Sequence, residues 1–472
     1  MKKKPHRHQS KFHSISNYFH TFQATNRFFV TTSRGLEDVL KEELEDISDR
    51  YNLRSKIWNG SAGCYFEAGW QGAIAANLTS MCASRVLLVL SESEVENVDE
   101  LYQYATQIDW TAIFAKNLSF SVSASVQDTF VSNSMFVALK VKDAICDTFR
   151  RKYNDRPNVE PSHADVKIYV RLFRTQLSIS VDTTGEPLSR RGYRLSTIEA
   201  PLKESIAASL LRMTGWMSLA SKIWESSDPV YFEDKETRIL KNQGIQGKSN
   251  AILLSPFLMD PMCGSGTFLI EAALALLHWK PNVHREHFAF LNLCPQNLLE
   301  IKKIYNNLKN KVIANEKSIS ELPLRIKLYC EKNGIQYSSD KISLFFGSDL
   351  LAGNVATAIE CAKIAGVSKI VTFEKKDVLN AMPFASRGLL IVNPPYGERL
   401  KQDDDLRPLY QSLGDLWKQK FSFWTAWLLS SNENAIKSVG LKPTRRISVY
   451  NGAIACKFLK YDLYPKNDKH SL

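Results

Sequence analysis

At 472 residues the chain is longer than one hydrophobic core usually organises, so about two to four domains are expected. Its 44% hydrophobic content is that of a globular protein, and no run approaches the roughly 18 apolar residues a membrane helix needs. The candidates Phe268 to Leu277 and Phe421 to Leu429 are short, and Glu271 interrupts the first. The net charge of +12 is unevenly placed, with Lys2, Lys3, Lys4, Arg7, Lys11 and Arg27 all preceding the first acid, Glu37. Arg190, Arg191 and Arg194 form a second basic cluster. That asymmetry suits a polyanion such as RNA or DNA, because Lys and Arg neutralise phosphates and release counterions. Cysteines at 64, 82, 146, 263, 294, 330, 361 and 456 show no CxxC or zinc-finger spacing, and read as reduced structural thiols. His278, His284 and His287 lack neighbouring ligands at metal-site spacing, so no metal is expected.

Residues 1–26 are basic, free of acids and rich in His and Ser, without the apolar core of a secretory signal; they read as a disordered tail. Phe28 to Thr32 reads as a strand. Leu36, Val39, Leu40, Leu44 and Ile47 then recur at helical spacing, with Ser33 as a candidate cap. Strands at Cys64 to Phe66 and Arg85 to Leu90 flank a helix near Ala73 to Met81, completing a small α/β unit. A second unit starts near Leu101. Phe120, Val122, Ala124 and Val126 alternate as in a strand, and a helix spans about Asn133 to Lys152. Two more alternating runs, around Val166 to Leu172 and Leu177 to Val181, precede a Thr183-Thr184-Gly185 turn.

Ser189 to Arg194 is a basic connector. Beyond it, helices are expected at Pro201 to Leu211, Thr267 to Leu277 and Leu351 to Ala365, interleaved with strands at Leu258 to Asp260, Leu344 to Phe346, Ile370 to Phe373 and Leu389 to Val392. Short Ile- and Val-rich runs of this kind are central parallel strands. Ile447 to Tyr450, Asn451-Gly452 and Ala453 to Phe458 form a hairpin signal. The fold class is therefore α/β, with a C-terminal doubly wound sheet that ends in an antiparallel hairpin. Trp224 to Lys248 and Pro281 to Lys341 carry no recognisable chemistry.

Three constellations carry chemistry. The first, Asp260-Pro261-Met262-Cys263-Gly264-Ser265-Gly266-Thr267, sits between a strand end and a helix start, where two glycines permit a sharp turn and close ligand approach. No Gly-Lys-Ser/Thr follows, and position 269 is Leu269, so neither a Walker loop nor a full GxGxxG is present. A nucleoside cofactor without a pyrophosphate fits better. The second comprises acids after successive strands: Asp349 is placed for ribose hydroxyls and Asp377 for an adenine edge. The third is Asn393-Pro394-Pro395-Tyr396. Proline has no N–H, so the loop presents carbonyl oxygens and the Asn oxygen, which suit an exocyclic amine. Tyr396 is placed to stack on a flipped base. Acceptors on both N–H bonds favour a pyramidal nitrogen with an available lone pair, so methyl transfer needs positioning above all.

Asp260 to Gly266 together with Asn393 to Arg399 resembles the amino-group class of Rossmann-fold methyltransferases. Thr32 to Leu40, Ala138 to Cys146, Arg156 to Val159, Arg191 to Arg194 and Ala200 to Glu204 resemble the bacterial THUMP-domain methyltransferases of 23S rRNA, over roughly residues 27 to 460. The resemblance implies a ferredoxin-like unit at 27–95, a THUMP RNA-binding domain at 96–186 and a Rossmann-fold methyltransferase domain at 187–465. It implies S-adenosylmethionine as cofactor and N2-methylguanosine in large-subunit rRNA, or in its precursor particle, as product, in the cytoplasm. Cofactor contacts are then expected from Pro201, Lys203, Glu204, Asp260, Pro261, Cys263, Gly264, Ser265, Gly266, Thr267, Asp349, Asp377 and Asn393. The target base is expected against Asn393, Pro394, Pro395 and Tyr396. RNA contacts are expected from Lys140, Lys142, Arg190, Arg191 and Arg194. Some family members carry a second, fused methyltransferase; no second fingerprint occurs in this sequence, and that activity is not expected. Two other readings remain at this point: an adenine-N6 or tRNA guanine-N2 methyltransferase, and a non-catalytic RNA-binding assembly factor.

Overall fold

A computed structural model describes residues 25–195, 202–232, 252–338, 343–395 and 405–465. In the N-terminal half, β1 (Asn26–Thr31) buries Phe28 and Val30, and α1 (Glu37–Arg50) covers them with Val39, Leu40, Leu44 and Ile47. Ser33 does not cap this helix. The Glu37 carboxylate instead accepts from Gly35 N at 2.7 Å and Ala62 N at 3.0 Å, joining the helix start to a neighbouring turn. Then follow β2 (Lys56–Gly60), β3 (Gly63–Ala68), α2 (Trp70–Thr79) and β4 (Arg85–Glu94). The next unit holds α3 (Val98–Gln107), α4 (Trp110–Ile113), β5 (Phe120–Gln127), α5 (Ser134–Tyr153), β6 (Val166–Phe173) and β7 (Gln176–Asp182). Asn133 caps α5 by accepting from Met135 N at 2.9 Å, and Asn154 ends it in the left-handed region at φ 52°.

These two units are read as separate from the sequence, yet they share one seven-stranded sheet, ordered β2-β3-β1-β4-β7-β6-β5. The seam is the antiparallel ladder of β4 and β7, from Leu87↔Asp182 to Glu94↔Gln176, with an irregularity between Val89 and Ser91.

The C-terminal half comprises α6 (Glu204–Met213), α7 (Trp216–Glu225), β8 (Tyr231–Phe232), β9 (Ile252–Leu253), β10 (Leu258–Asp260), α8 (Thr267–Leu276), α9 (Leu298–Ala314) and α10 (Leu322–Asn333). It continues through β11 (Phe345–Asp349), α11 (Ala352–Ile364), β12 (Val371–Lys375), β13 (Leu389–Val392), α12 (Arg407–Lys420), β14 (Thr425–Ser430), α13 (Glu433–Ser438), β15 (Arg445–Asn451) and β16 (Ile454–Asp462). The sheet order is β12-β11-β10-β13-β14-β16-β15, parallel through β14 and antiparallel at β16 and β15. The chain leaves β10 for β11 on one side and later returns to β13 on the other. This reversal opens a crevice at the carboxyl ends of β10 and β13, where ligands enter doubly wound sheets.

The segment after α8, which shows no chemistry in sequence, has a structural task. Residues 281–314 cross from the C-terminal half onto the N-terminal half. Phe288, Phe290, Leu293, Ile301, Tyr305 and Leu308 join the N-terminal core rather than the C-terminal one. Phe290 N donates to Thr183 O at 2.8 Å and Cys294 N to Ile113 O at 2.8 Å, so the strap is also fixed through its backbone. α9 then lies against α2.

Candidate active site

β10 is buried at all three positions and delivers Asp260 to the crevice floor. Met262 N donates to Asp260 Oδ1 at 3.2 Å. Burial nevertheless pushes the Asp260 carboxyl up to about 8, and the nearby Asp349 charge adds to this. Burial likewise raises the Cys263 thiol well above its ordinary range. The loop from Pro261 to Gly266 is tied to the end of β11. Cys263 N donates to Ser348 O at 2.9 Å, and Gly264 N donates to Asp349 Oδ2 at 3.0 Å. Asp349 Oδ1 accepts from Leu351 N and Asn354 Nδ2, both at 3.0 Å. Asp349 therefore braces the glycine loop as well as standing at the expected strand end. Asn354 is a partner that sequence reading did not single out; it lies in the first turn of the following helix, and that position was the available signal.

The two glycines serve different ends. Both have positive φ, 52° at Gly264 and 75° at Gly266. A Cβ on Gly264 would meet nothing within 4 Å, whereas one on Gly266 would strike the Phe373 ring at 2.5 Å. Gly264 thus leaves open space beside the loop. Gly266 lets α8 pack against β12, the space a Cβ would take being filled by the Phe373 ring. Ser265 Oγ and Thr267 Oγ1 lie 3.2 Å apart at the start of α8.

On the other side of the crevice, β13 is buried throughout and ends at Asn393. Among the described residues, Asn393 Oδ1 is one of few buried side-chain oxygens without a hydrogen-bond partner. An unpaired buried acceptor is costly unless something else satisfies it. Pro394 is buried and Pro395 half-buried. Tyr396 and Pro201 lie outside the described residues. Asp377 is exposed and caps a short turn, its Oδ1 accepting from Leu379 N at 2.9 Å. Lys203 is exposed immediately before α6, while Glu204 is buried.

The basic connector departs from expectation. Arg194 donates to Glu204 Oε1 at 2.9 Å, Leu202 O at 2.7 Å and Thr267 Oγ1 at 3.1 Å, binding the start of α6 to the start of α8. Arg191 is wholly buried and paired with Glu271, so it is withdrawn from any RNA surface, and the expectation of an RNA contact there is corrected. Arg194 is mostly buried and committed to these partners, which corrects its expected RNA role too. Only Arg190 of the three stands exposed, against Glu186. Lys140 lies 5.6 Å over the Phe136 ring on α5, and Lys142 pairs with Asp143 at 2.5 Å. Among the described residues no cluster of His, Cys, Asp or Glu is arranged to hold a metal, and no helix is long and apolar enough to cross a membrane.

Comparison with known proteins matches three successive segments of the chain. Residues 27–87 match the RlmL ferredoxin-like domain, 95–182 the THUMP domain and 255–460 the RMKL-like methyltransferase domain. Ribosomal RNA large subunit methyltransferase K/L of Shewanella pealeana is 34% identical over 442 residues, covering 94% of this chain and 53% of that protein. The chain thus spans about half the length of the curated relatives it matches. The crystal structure of SMU.472 complexed with SAH shares the fold at a TM-score of 0.70 and 23% identity, covering 94% of this chain and 99% of that one. TrmN from Thermus thermophilus does so at 0.56 and 17%, covering 93% and 99%.

Proposed function

We propose that this chain, which carries the RlmL ferredoxin-like, THUMP and RMKL-like methyltransferase domains in that order, methylates the exocyclic N2 amine of a guanosine in large-subunit ribosomal RNA, with S-adenosylmethionine as donor. The observation that carries the reading is the buried, unpartnered Asn393 Oδ1 at the end of β13, across the crevice from the open space at Gly264. The residues fit such a cofactor. The glycine loop leaves room without a phosphate-binding lysine, and the Asp349 carboxylate at the end of β11 beside that loop suits ribose hydroxyls as donors.

The cofactor, when bound, supplies an electrophilic methyl group. Asn393 accepts one N–H of the target amine through Oδ1, and Pro394 offers its carbonyl to the other. These two acceptors draw the nitrogen toward a pyramidal shape and fix its lone pair in line for displacement. Transfer of the methyl would break its bond to the donor sulfur, which would leave as a neutral thioether, and the amine held by Asn393 and Pro394 would release one proton to solvent. Positioning supplies the catalysis, and no strong base is needed.

The test is incubation with isotope-labelled S-adenosylmethionine and separated, unmodified rRNA and tRNA, followed by nucleoside mass spectrometry. N2-methylguanosine in 23S rRNA, lost in Asn393→Ala, is the expected result. Label in N6-methyladenosine or in tRNA overturns the substrate while leaving the site. Absence of label in every RNA and in precursor particles overturns the enzymatic reading.

A further inference from the structure

Arg191, Tyr193 and Glu271 form a buried polar cluster that no step of the proposed chemistry uses. Arg191 Nη2 donates to Met81 O at 2.6 Å, in the loop between α2 and β4. Its Nη1 donates to Leu188 O at 2.5 Å, where the chain enters the connector. Nε and Nη2 each reach the Glu271 carboxylate at 3.4 Å, on α8. Tyr193 Oη donates to Glu271 Oε1 at 2.9 Å. One guanidinium therefore touches the N-terminal half, the connector and the helix that opens with the cofactor loop. From the outside, Arg285 of the strap holds the connector through Arg190 O at 2.9 Å and the residues that lead into it through Glu186 O at 2.7 Å and Pro187 O at 2.5 Å.

A buried ion pair is weak evidence for stability, because desolvation offsets its attraction; its best-attested use is to enforce one geometry over others. Here the adhesion between halves has another source, the apolar side chains of the strap. Apolar packing holds surfaces together without fixing their angle, whereas the planar guanidinium satisfies its partners in one orientation only.

We propose that Arg191 is a positioning residue for methyl transfer: it locks the angle between the N-terminal RNA-docking half and helix α8, so that RNA held on the first presents its base at the cofactor loop of the second. This rests on the reading of the chain as an rRNA methyltransferase. A macromolecular substrate anchored far from the reacting atom needs such a lock, since a displacement of about 1 Å at the site costs on the order of a hundredfold in rate.

The test replaces the whole cluster by apolar residues of similar size, Arg191→Met, Tyr193→Phe and Glu271→Leu together, a class of exchange that keeps folding stability. Arg191→Lys serves alongside, because it keeps the charge opposite Glu271 but cannot reach both carbonyls. All eight native cysteines are buried, so Ser132→Cys and Lys363→Cys, both exposed positions, accept spin labels across the two halves. The expected result is a wider interspin distance distribution in both variants. S-adenosylhomocysteine and 23S transcript affinities should stay within about threefold, and the single-turnover rate should fall about tenfold to a hundredfold. An unchanged distance distribution overturns the proposal whatever the substrate proves to be, as does a wider one with an unchanged rate. Failure of the unsubstituted protein to methylate 23S rRNA, with the distribution widened in the variants, overturns the substrate reading and leaves Arg191 as the interdomain lock.

Discussion

Along β6 of the N-terminal sheet, Val166, Ile168, Val170 and Leu172 are buried while Lys167, Tyr169, Arg171 and Phe173 lie at least partly open on the other side. Along β13 and β14 of the C-terminal sheet every residue is buried. A sheet covered on both faces can meet a ligand only where its strands end, so its chemistry concentrates in the loops after β10, β11 and β13. A sheet with an open face offers area instead, which suits a large partner. The two halves thus differ in what a substitution should do: a sharp, all-or-none effect at a strand end, a graded one on the open module.

The sharpest contrast is expected at Asn393. Asn393→Ala should lower the methyl-transfer rate by about a hundredfold to a thousandfold, by analogy with removal of one preorganised hydrogen-bonding group, while S-adenosylhomocysteine still binds. Single-turnover assay and calorimetry separate the two, and an equal loss of cofactor binding would contradict the assignment of Asn393 to the base. Next come the glycines. Gly266→Ala drives a methyl into Phe373 from a positive-φ position, so its melting temperature should drop by roughly 5–10 °C. Gly264→Ala meets open space and carries only the backbone strain of about 1–2 kcal/mol. Its larger effect should appear as weakened cofactor binding, and melting curves that rank the two the other way would remove the distinction.

Asp260 gives a pH-dependent prediction. Its carboxyl is raised to about 8, so between about pH 4 and pH 8 the unfolded chain releases a proton that the folded chain keeps. Stability from this group is therefore full at low pH and falls as pH rises through that window. Asp260→Asn should accordingly raise the melting temperature at pH 8.5 more than at pH 5; equal gains at both would exclude titration of Asp260 as the cause. The smallest effects belong to the N-terminal module. Lys140→Ala and Lys142→Ala should each weaken 23S RNA binding a few-fold and reduce the salt slope by about one. A loss as steep as that of Asn393→Ala would mean that the module is not a graded surface.

The sequence by itself determined the parts of this protein whose physics is local. Four consecutive apolar residues before Asn393 and two glycines after Asp260 each specify their geometry within a few neighbours, and the described residues carry both where they were expected; the last hairpin is also present, but its turn falls one residue later than expected, at Gly452-Ala453, with Asn451 paired to Ile454 in the ladder. The sequence also showed three clustered arginines, but charge alone does not say what a side chain faces. Only the tertiary structure decided that Arg191 lies buried against Glu271, 80 positions away, while Arg190 stays at the surface. Likewise, nothing within β4 or β7 announces that they pair, and the apolar spacing of 281–314 does not reveal which core it enters. Periodicity tells which face of an element is apolar. The partner that covers that face is chosen by packing between segments far apart in the chain, and that information exists only once the chain has folded.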